Sequence, residues 1–441
     1  MPPRGMIGAA CAFALAAQLA PAVARSQEAP RAPGDEPVFT LEQAIEAVLR
    51  HSPLIAQATG AVRNAESAER RALGQFLPSL SLSSGASLAS TERFNPQTNT
   101  TVTGSNDSYS AGISSQMTIF SGGQRGAALA EARAQTAAAD AALIEQRYAV
   151  VLTVKQTFFD VLRAEDLIRV AEARVQRAQE ALDAATRRAD VGSGTRSDVL
   201  RARLELTNAR QSLLQAQNQR RTAAHALGRL VGVDGAVGAR HDAPLEPRPL
   251  ALGREELLAL ALEQAPAVRA ADAGAAAADA AARAAKAQYF PSVTASGGYD
   301  WFNQDPAIGG GRTSWSLRLG VSFPLFNRFQ REDAVSRASV QADIARSQAA
   351  DARRRTRAEL ERILGALELA EQQIALAQEA VRAAEEDFRV QQERYRLGVS
   401  TILDQVTSQL NLVQAETDLI AARYDYQVAR AELEALVGRN L

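Results

Sequence analysis

The segment Gln75-Phe-Leu-Pro-Ser79 returns 213 residues later as Gln288-Tyr-Phe-Pro-Ser292. Further pairs, all 206 residues apart, are Phe120 and Phe326, Gly192 and Gly398, Asp198 and Asp404, and Leu230-Val-Gly232 and Leu436-Val-Gly438. A repeat of this length indicates a duplicated half-domain and not a solenoid unit. We therefore predict a first structural repeat over residues 39–232, a linker over residues 233–253 and a second repeat over residues 254–441.

The N-terminus has the features of a secretory signal. Arg4 precedes an apolar stretch from Ile7 to Leu19, and Ala22-Val-Ala24 matches the small-residue pattern of a cleavage site. We predict a signal peptide over residues 1–24 and a flexible leader over residues 25–38; a disordered Ala-rich tail is the alternative. Cys11 is the only cysteine, and it falls inside this signal, so disulfides and thiolate metal sites are not expected in the mature chain.

Each repeat contains two segments in which apolar and small polar residues alternate, which is the period of a β-strand with two unlike faces. Most odd positions from Tyr109 to Ile119 are apolar, and so are all odd positions from Trp315 to Phe323. We predict strands at residues 79–90, 109–119, 292–303 and 313–325. The polar segment between the first two, residues 91–108, is expected to be an exposed loop.

The long segments that follow the strands have a helical period. Apolar residues recur every seven positions from Val154 to Leu182 and again from Leu360 to Phe388, and a second row, rich in alanine, lies three residues further on. Large side chains in one row and alanines in the other allow close packing of helices in coiled-coil geometry. Each repeat is expected to contain one uninterrupted helix of about 65 residues, ~98 Å long at 1.5 Å per residue, beside two shorter helices stacked end to end.

The strands have the length and pattern of strands that cross an outer membrane. Four tilted strands of about twelve residues could span it, with apolar side chains toward lipid and Ser, Thr, Gly, Gln and Arg on the other face. The aromatic residues expected at the membrane interface are Tyr109, Tyr299, Trp301 and Trp315. Four strands leave two open edges, which lipid does not tolerate, and a ring of three chains would close them. Two soluble hairpins with one wet face are the alternative.

In this order and in two copies, the motifs of the chain resemble those of the TolC-type outer membrane efflux proteins. The segments that carry the resemblance are Gln75-Phe-Leu-Pro-Ser79, Phe120-Ser-Gly-Gly-Gln-Arg125, Gly192-Ser-Gly-Thr-Arg-Ser-Asp198, Tyr395-Arg-Leu-Gly-Val-Ser-Thr-Ile-Leu-Asp404 and Leu436-Val-Gly438. The resemblance extends over residues 39–441.

The resemblance implies a mainly α fold with a membrane β-barrel contribution. Long antiparallel coiled-coil helices would form a periplasmic α-barrel, and four strands per chain would complete a twelve-stranded β-barrel in a homotrimer. It also implies a periplasmic adaptor (membrane fusion) protein and an inner-membrane transporter, of RND or ABC type, as partners, besides outer membrane lipid.

The resemblance places the two Gly-containing turns at the periplasmic entrance, where the helices constrict the tunnel. Gly192 and Gly398 would form the turns, Asp198 and Asp404 match acidic positions of the entrance, and Tyr395 matches an aromatic residue of the closing network. Considered from the residues alone, each Asp can instead cap a helix N-terminus, since both lie near a helix start. The two roles can coexist.

The sequence departs from the pattern of its relatives at two entrance positions. Ser400 stands where some relatives carry an arginine that locks the closed state, and Thr407 stands where some carry a second acidic ring. A strong salt-bridge lock and a double cation-binding ring are therefore in doubt in this protein.

Composition and motifs argue against other classes of function. The formal net charge of −1 gives no reason to expect binding to nucleic acid. His51, His225 and His241 are isolated and lack the spacing of metal ligands. The sequence contains no phosphate-binding loop, nucleophile elbow or cysteine nucleophile. We expect no enzymatic activity, no cofactor and no metal site.

The sequence thus predicts a passive export channel in the cell outer membrane with a large periplasmic portion. Such a channel would be the exit duct of a tripartite efflux or type I secretion system. A soluble periplasmic coiled-coil scaffold or adaptor is the alternative, although an adaptor would need a compact β-domain around its helical hairpin. Whether the cargo is a drug, a metal or a secreted protein stays open.

Overall fold

A computed structural model describes residues 36–441, apart from residues 98, 106, 242–244, 248–249, 251, 308 and 440–441. The predicted signal peptide and most of the predicted leader lie outside the described residues. Residues 37–441 belong to one compact unit that includes both repeats.

The two repeats share the order of two short helices, two sheet strands and two long helices, and the first has an additional hairpin between its sheet strands. The first contains β1 (Val38–Phe39), α1 (Leu41–His51), α2 (Pro53–Gly74), β2 (Ser79–Ser87), β3 (Ser90–Asn95), β4 (Thr100–Ser105), β5 (Ser108–Phe120), α3 (Gln124–Asp190) and α4 (Arg196–Val231). The second contains, after β6 (Gly238–Ala239) in the linker, α5 (Arg254–Gln264), α6 (Pro266–Lys286), a 3₁₀ turn (Ala287–Tyr289), β7 (Ser292–Asn303), β8 (Arg312–Ser322), α7 (Gln330–Arg396) and α8 (Ile402–Val437). Helices α3 and α7 each have 67 residues, and α4 and α8 each have 36.

A proline divides the helical segment that precedes the strands in each repeat. Pro53 begins α2 directly after Ser52, and Pro266 begins α6 directly after Ala265. Proline lacks the N–H that would continue the preceding helix, but it fits the first turn of a new one, where that N–H has no partner. Each repeat therefore has two short helices before its strands.

The segment expected to be a loop at residues 91–108 contains most of a β-hairpin. Strands β3 and β4 pair antiparallel, with Ser90 opposite Ser105 and Asn95 opposite Thr100, so the predicted strand at residues 79–90 ends at Ser87 and a new one begins at Ser90. A hairpin satisfies its own backbone N–H and C=O groups, and the β-branched residues of β4 favour extended backbone. Neither effect requires the apolar alternation on which the prediction relied.

The four longer strands form one antiparallel sheet in the order β2-β5-β7-β8, with β2 and β8 at its edges. Its register places Leu82, Ile113, Tyr299 and Trp315 in one row across the sheet. The adjacent row, on the opposite face, consists of Ser81, Ser114, Gly298 and Ser316. Within the described chain nothing covers the apolar face: Leu82 is 82% exposed and Trp315 is 78% exposed.

Helix α3 lies at the centre of the helical layer. It packs against α2, α4, α6 and α8, while α7 packs against α6 and α8. This arrangement leaves α2 and α4 at one edge of the layer and α7 at the other. No helix among the described residues is both long and apolar enough to cross a membrane.

Two tyrosines of α8 lie in different core clusters, one shared with the first repeat and one within the second. Tyr424 lies in a core cluster with Val154 and Phe158 of α3, whereas Tyr426 lies in a second cluster with Leu360 of α7. The Tyr424 hydroxyl donates to Asp166 Oδ2 of α3 at 3.0 Å and lies 3.0 Å from Nε2 of His241 in the linker.

His241, which has no metal-ligand spacing in the sequence, is therefore part of a hydrogen-bonded chain that joins α3, α8 and the linker. Burial, together with the charge of Asp166, raises the pKa of Tyr424, so its hydroxyl stays protonated and keeps its proton to donate to Asp166.

Candidate functional site: the two helix turns

The candidate site consists of the turns that join α3 to α4 and α7 to α8. Gly192 has a φ of +75° and Gly398 a φ of +82°, the left-handed region that glycine adopts without steric cost. A Cβ at position 398 would lie 3.4 Å from Nη2 of Arg188, whereas the space around Gly192 is open. The two predicted turn glycines are therefore in matching conformations but in different surroundings.

Both predicted entrance aspartates belong to capping boxes. The main-chain N–H of Thr195 donates to Oδ2 of Asp198 at 3.0 Å, and the N–H of Asp198 donates to Oγ1 of Thr195 at 3.2 Å. Thr401 and Asp404 exchange the same two bonds at 2.9 and 3.2 Å. Each pair satisfies N–H groups that a helix start leaves free. The capping role considered from the residues is thus present at both positions.

The capping bonds also keep Asp404 ionised. Its pKa lies below the ordinary value, chiefly because the main-chain N–H and the hydroxyl of Thr401 both donate to the carboxylate. A lowered folded-state pKa adds stability at pH values above the unfolded pKa, and this contribution is lost as the pH falls through the folded pKa. The exposed Asp404 is therefore charged at neutral pH.

Tyr395 is buried between the two turns, with only 4% of its surface exposed. It lies in a small cluster with Ala185 of α3, Ala202 of α4 and Ile402 of α8. Burial and the charge of Asp198 raise its pKa, and its hydroxyl has no hydrogen-bond partner among the described residues. The end of α7 is thus inserted against the helices of the first repeat.

Arg188, which was not predicted as a site residue, joins the two turns. Its Nη1 donates to the main-chain oxygen of Tyr395, its guanidinium lies 4.8 Å from the centre of the Tyr395 ring, and its Nη2 donates to the oxygen of Ser193 at 3.2 Å. The residue 206 positions later is Arg394, which neighbours Tyr395 itself. Comparison of the two repeats therefore gives no indication of this contact, because it links non-equivalent positions.

Ser400 and Thr407, the two positions where the sequence departs from the family pattern, contribute little to the contacts between the two turns. The Ser400 hydroxyl donates to the oxygen of Gln391 at 3.5 Å, a long and weak bond, and Thr407 is exposed. The cationic contact between the turns therefore comes from Arg188 in the first repeat and not from position 400.

The predicted interface aromatics share one end and one face of the sheet. Tyr299 lies opposite Trp315, Trp301 lies opposite Thr313, and Tyr109 lies opposite Asn303. The rows that contain these residues are adjacent on the apolar face. They therefore form one continuous aromatic region on the described chain.

A second group of aromatic residues, which the prediction did not include, lies at the opposite end of the strands. Its exposed members are Phe76, Phe120, Tyr289, Phe290, Phe323, Phe326 and Phe329. The guanidinium of Arg125 lies 5.0 Å from the Phe76 ring, and that of Arg331 lies 4.9 Å from the Tyr289 ring. The repeated motif that ends in Pro-Ser thus pairs its aromatic residue with an arginine in both repeats.

Two long helical pairs joined to one antiparallel sheet are the fold of outer membrane channel subunits. The structure of VceC from Vibrio cholerae is similar with a TM-score of 0.79 and 21% identity, over 91% of this chain and 96% of that one. The open-state structure of the MtrE outer membrane channel of Neisseria gonorrhoeae is similar with a TM-score of 0.76 and 20% identity, over 91% and 89% of the two chains.

Sequence comparison agrees with the fold. The model of the outer membrane efflux protein family matches residues 44–233 and 257–439, one segment in each repeat. Protein CyaE of Bordetella pertussis (strain Tohama I) is 30% identical over 351 residues, which is 77% of this chain and 71% of CyaE. The chain belongs to the outer membrane efflux protein family.

The contacts of Arg188 give a prediction for the mobility of the turns. Arg188→Met removes two charge-assisted hydrogen bonds, each worth about 1.5–3 kcal/mol, and the stacking on Tyr395. We expect backbone amides at residues 395–400 to exchange with deuterium about tenfold faster, since local opening becomes easier. Arg187→Met is the control, because Arg187 is the exposed neighbour on the same helix. Equal exchange in the two variants would show that Arg188 does not hold the turns together.

Proposed function

We propose that three copies of this chain form an outer membrane channel-tunnel. It would be the exit duct of a tripartite efflux or type I secretion system and would conduct its cargo passively from the periplasm or an inner-membrane transporter to the exterior. The observation that supports this proposal most directly is that the sheet has two open edges and an uncovered apolar face.

The open edges require a neighbour. Among the described residues, β2 pairs only with β5 and β8 pairs only with β7. Each edge therefore presents unpaired N–H and C=O groups, which cost several kcal/mol apiece in a lipid core. Pairing β8 of one chain with β2 of the next removes both edges. Two copies would give a barrel of eight strands, and side chains fill the interior of a barrel of that size. Three copies would give twelve strands and leave room for an open lumen.

The helical layer also has uncovered apolar side chains at both of its edges. On α7 these are Val340, Ile344, Leu369, Leu376 and Val390, and on α4 they are Leu200, Leu204 and Leu214. A ring that joins β8 to β2 also brings α7 of one chain beside α2 and α4 of the next. One arrangement can thus cover the exposed apolar groups of both layers.

The spacing of the two aromatic groups supports an outer membrane location. Trp301 and Phe290 are eleven residues apart in the sequence, which is ~36 Å along a strand and ~28 Å along the membrane normal at a tilt near 40°. The apolar band of outer membrane barrels is about 25 Å tall between its aromatic girdles. The long helices would then extend into the periplasm.

Within this proposal the two helix turns form the periplasmic entrance, and Asp198, Asp404, Tyr395, Gly192 and Gly398 are its gate residues. Threefold symmetry would bring three copies of Asp404 around one axis, and the Arg188–Tyr395 contact would hold the turns of each chain together. A periplasmic adaptor and an inner-membrane transporter of RND or ABC type would be the partners that open this gate. A soluble periplasmic scaffold is the competing function, and no observation on the described chain favours it.

The proposal predicts a trimer in the outer membrane fraction. Chemical crosslinking of the full chain, purified in detergent from that fraction, should produce dimers and trimers and stop at three chains. Recovery of the folded chain only from the soluble periplasm would instead support the scaffold function. A stable folded monomer in lipid would contradict the architecture.

The two faces of β8 should respond oppositely to charge. Trp315→Asp places a carboxylate on the apolar face, where charge costs a few kcal/mol near mid-membrane and less near an interface. Ser316→Asp places the same group on the polar face and is the matched control. We expect less trimer in the outer membrane for Trp315→Asp and near-normal amounts for Ser316→Asp. Equal amounts would mean that the faces are wrongly assigned.

Neutralising Asp404 tests whether the entrance attracts cations. Three carboxylates around one axis lower the barrier for cations relative to anions. Asp404→Asn should therefore reduce cation selectivity in planar bilayers and weaken block by multivalent cations. Asparagine can still cap a helix, so trimer yield should change little. Unchanged selectivity with a lower trimer yield would show that Asp404 acts as a cap alone.

A further inference from the structure

We infer that Arg318 is a charge-selecting residue of the strand region, where three copies attract anions and anionic segments of cargo. This inference rests on the proposed trimer. It concerns the polar face of the sheet, to which none of the gate residues belongs.

The polar face of the four-stranded sheet is almost uncharged. Its residues on β2 and β5 are Ser, Gly, Gln and Thr, and its charged residues among the described positions are Asp300, Arg312 and Arg318. Small uncharged side chains form a surface on which an isolated charge is not masked. The arrangement of these three charges therefore decides the sign of the field.

Arg318 lies among small or neutral residues in every direction along the sheet. The register places Ser296, Gln116 and Ser79 in its row, and Ser316 and Gly320 are its same-face neighbours on β8. Its side chain is exposed, and among the described residues no carboxylate forms an ion pair with it. The guanidinium is therefore free to attract an anion.

A neighbouring chain would not neutralise it either. β8 is an edge strand, and in the proposed trimer its partner is β2 of the next chain. The polar face of β2 consists of Ser79, Ser81, Ser83, Gly85 and Ser87. In every register that pairs Arg318 with a residue of β2, the residue opposite it on this face is a serine or a glycine.

Asp300 lies too far along the sheet to compensate Arg318. It is four residues from Ser296, the partner of Arg318, which is ~13 Å along the strand and more than the Debye length of about 10 Å at 0.1 M salt. Its carboxylate lies flat on the sheet, since a Cβ at Gly112 would be 2.3 Å from Oδ1. Arg312 lies opposite Phe302, two residues from Asp300, so Arg312 and not Arg318 is the arginine closer to Asp300 along the sheet.

Three uncompensated guanidinium groups would face a common lumen. A twelve-stranded barrel with strands ~4.8 Å apart and tilted near 40° has a backbone radius of about 12 Å. Inward-pointing guanidinium groups then lie within one Debye length, about 10 Å at 0.1 M salt, of the axis. Rings of arginine favour anions in pores. The strand region should accordingly prefer anions, in contrast to the acidic entrance.

Ion selectivity of the reconstituted trimer tests the inference. The permeability ratio of Cl⁻ to K⁺ would be obtained from the reversal potential under a KCl gradient for the parent, Arg318→Gln, Arg318→Glu and Arg318→Lys. We expect the ratio to fall about threefold for the Gln variant, which removes three charges near the axis, and further for the Glu variant. The Lys variant keeps the charge and should resemble the parent.

A control and a second probe separate this effect from general disturbance. Arg337→Gln removes one arginine of α7, which pairs with Asp333 at 2.9 Å, and should not reduce the ratio. Tripolyphosphate added on the side of the bilayer opposite the long helices should block the parent and the Lys variant but not the Glu variant. An unchanged ratio in Arg318→Glu, or an equal fall in Arg337→Gln, would overturn the role of Arg318. A parent chain that forms no channel would instead overturn the proposed function.

Discussion

The hydrogen-bonding groups of the two sheet edges are the constraint on which the rest of the structure depends. A sheet with β2 and β8 open cannot lie in lipid, and a sheet with Leu82 and Trp315 exposed in one row is poorly suited to water. The closed ring in lipid that we propose would solve both problems. Closure of that ring would in turn bring α7 of one chain beside α2 and α4 of the next, so the helical layer would share the symmetry of the strands.

Duplication explains the matched dimensions of the two repeats but not the contacts that hold them together. α3 and α7 have equal lengths, and both helix turns use the same capping box. The joining contacts connect non-equivalent positions: Arg188 contacts Tyr395, and Tyr424 contacts Asp166 and His241. If the two halves were identical, each residue of such a contact would be present in both halves, and the contact would not be restricted to one pair of positions. Each of these joining contacts therefore includes at least one residue in which the two halves have diverged.

The parts of the fold that could be predicted are those set by local periodicity. The seven-residue spacing predicted the long helices, and glycine followed by Thr and Asp predicted the turns, because left-handed backbone and a capping box are properties of a few neighbouring residues. Arg188 and His241 could not be predicted, since their partners lie more than 180 residues away. The β3–β4 hairpin was missed because its sequence lacks the apolar alternation that marks the other strands.

Charge follows position along the proposed channel. The helix turns carry the acidic residues Asp198 and Asp404, whereas the strand region carries Arg318 without a nearby carboxylate. The 67 residues of α3 that separate these regions span ~100 Å at 1.5 Å per residue, about ten Debye lengths at 0.1 M salt. The two fields therefore do not cancel, and each acts on the part of the cargo that is passing it. An extended cargo would meet a cation-attracting entrance and an anion-attracting exit at the same time, so its charge distribution, more than its net charge, would determine how readily it passes.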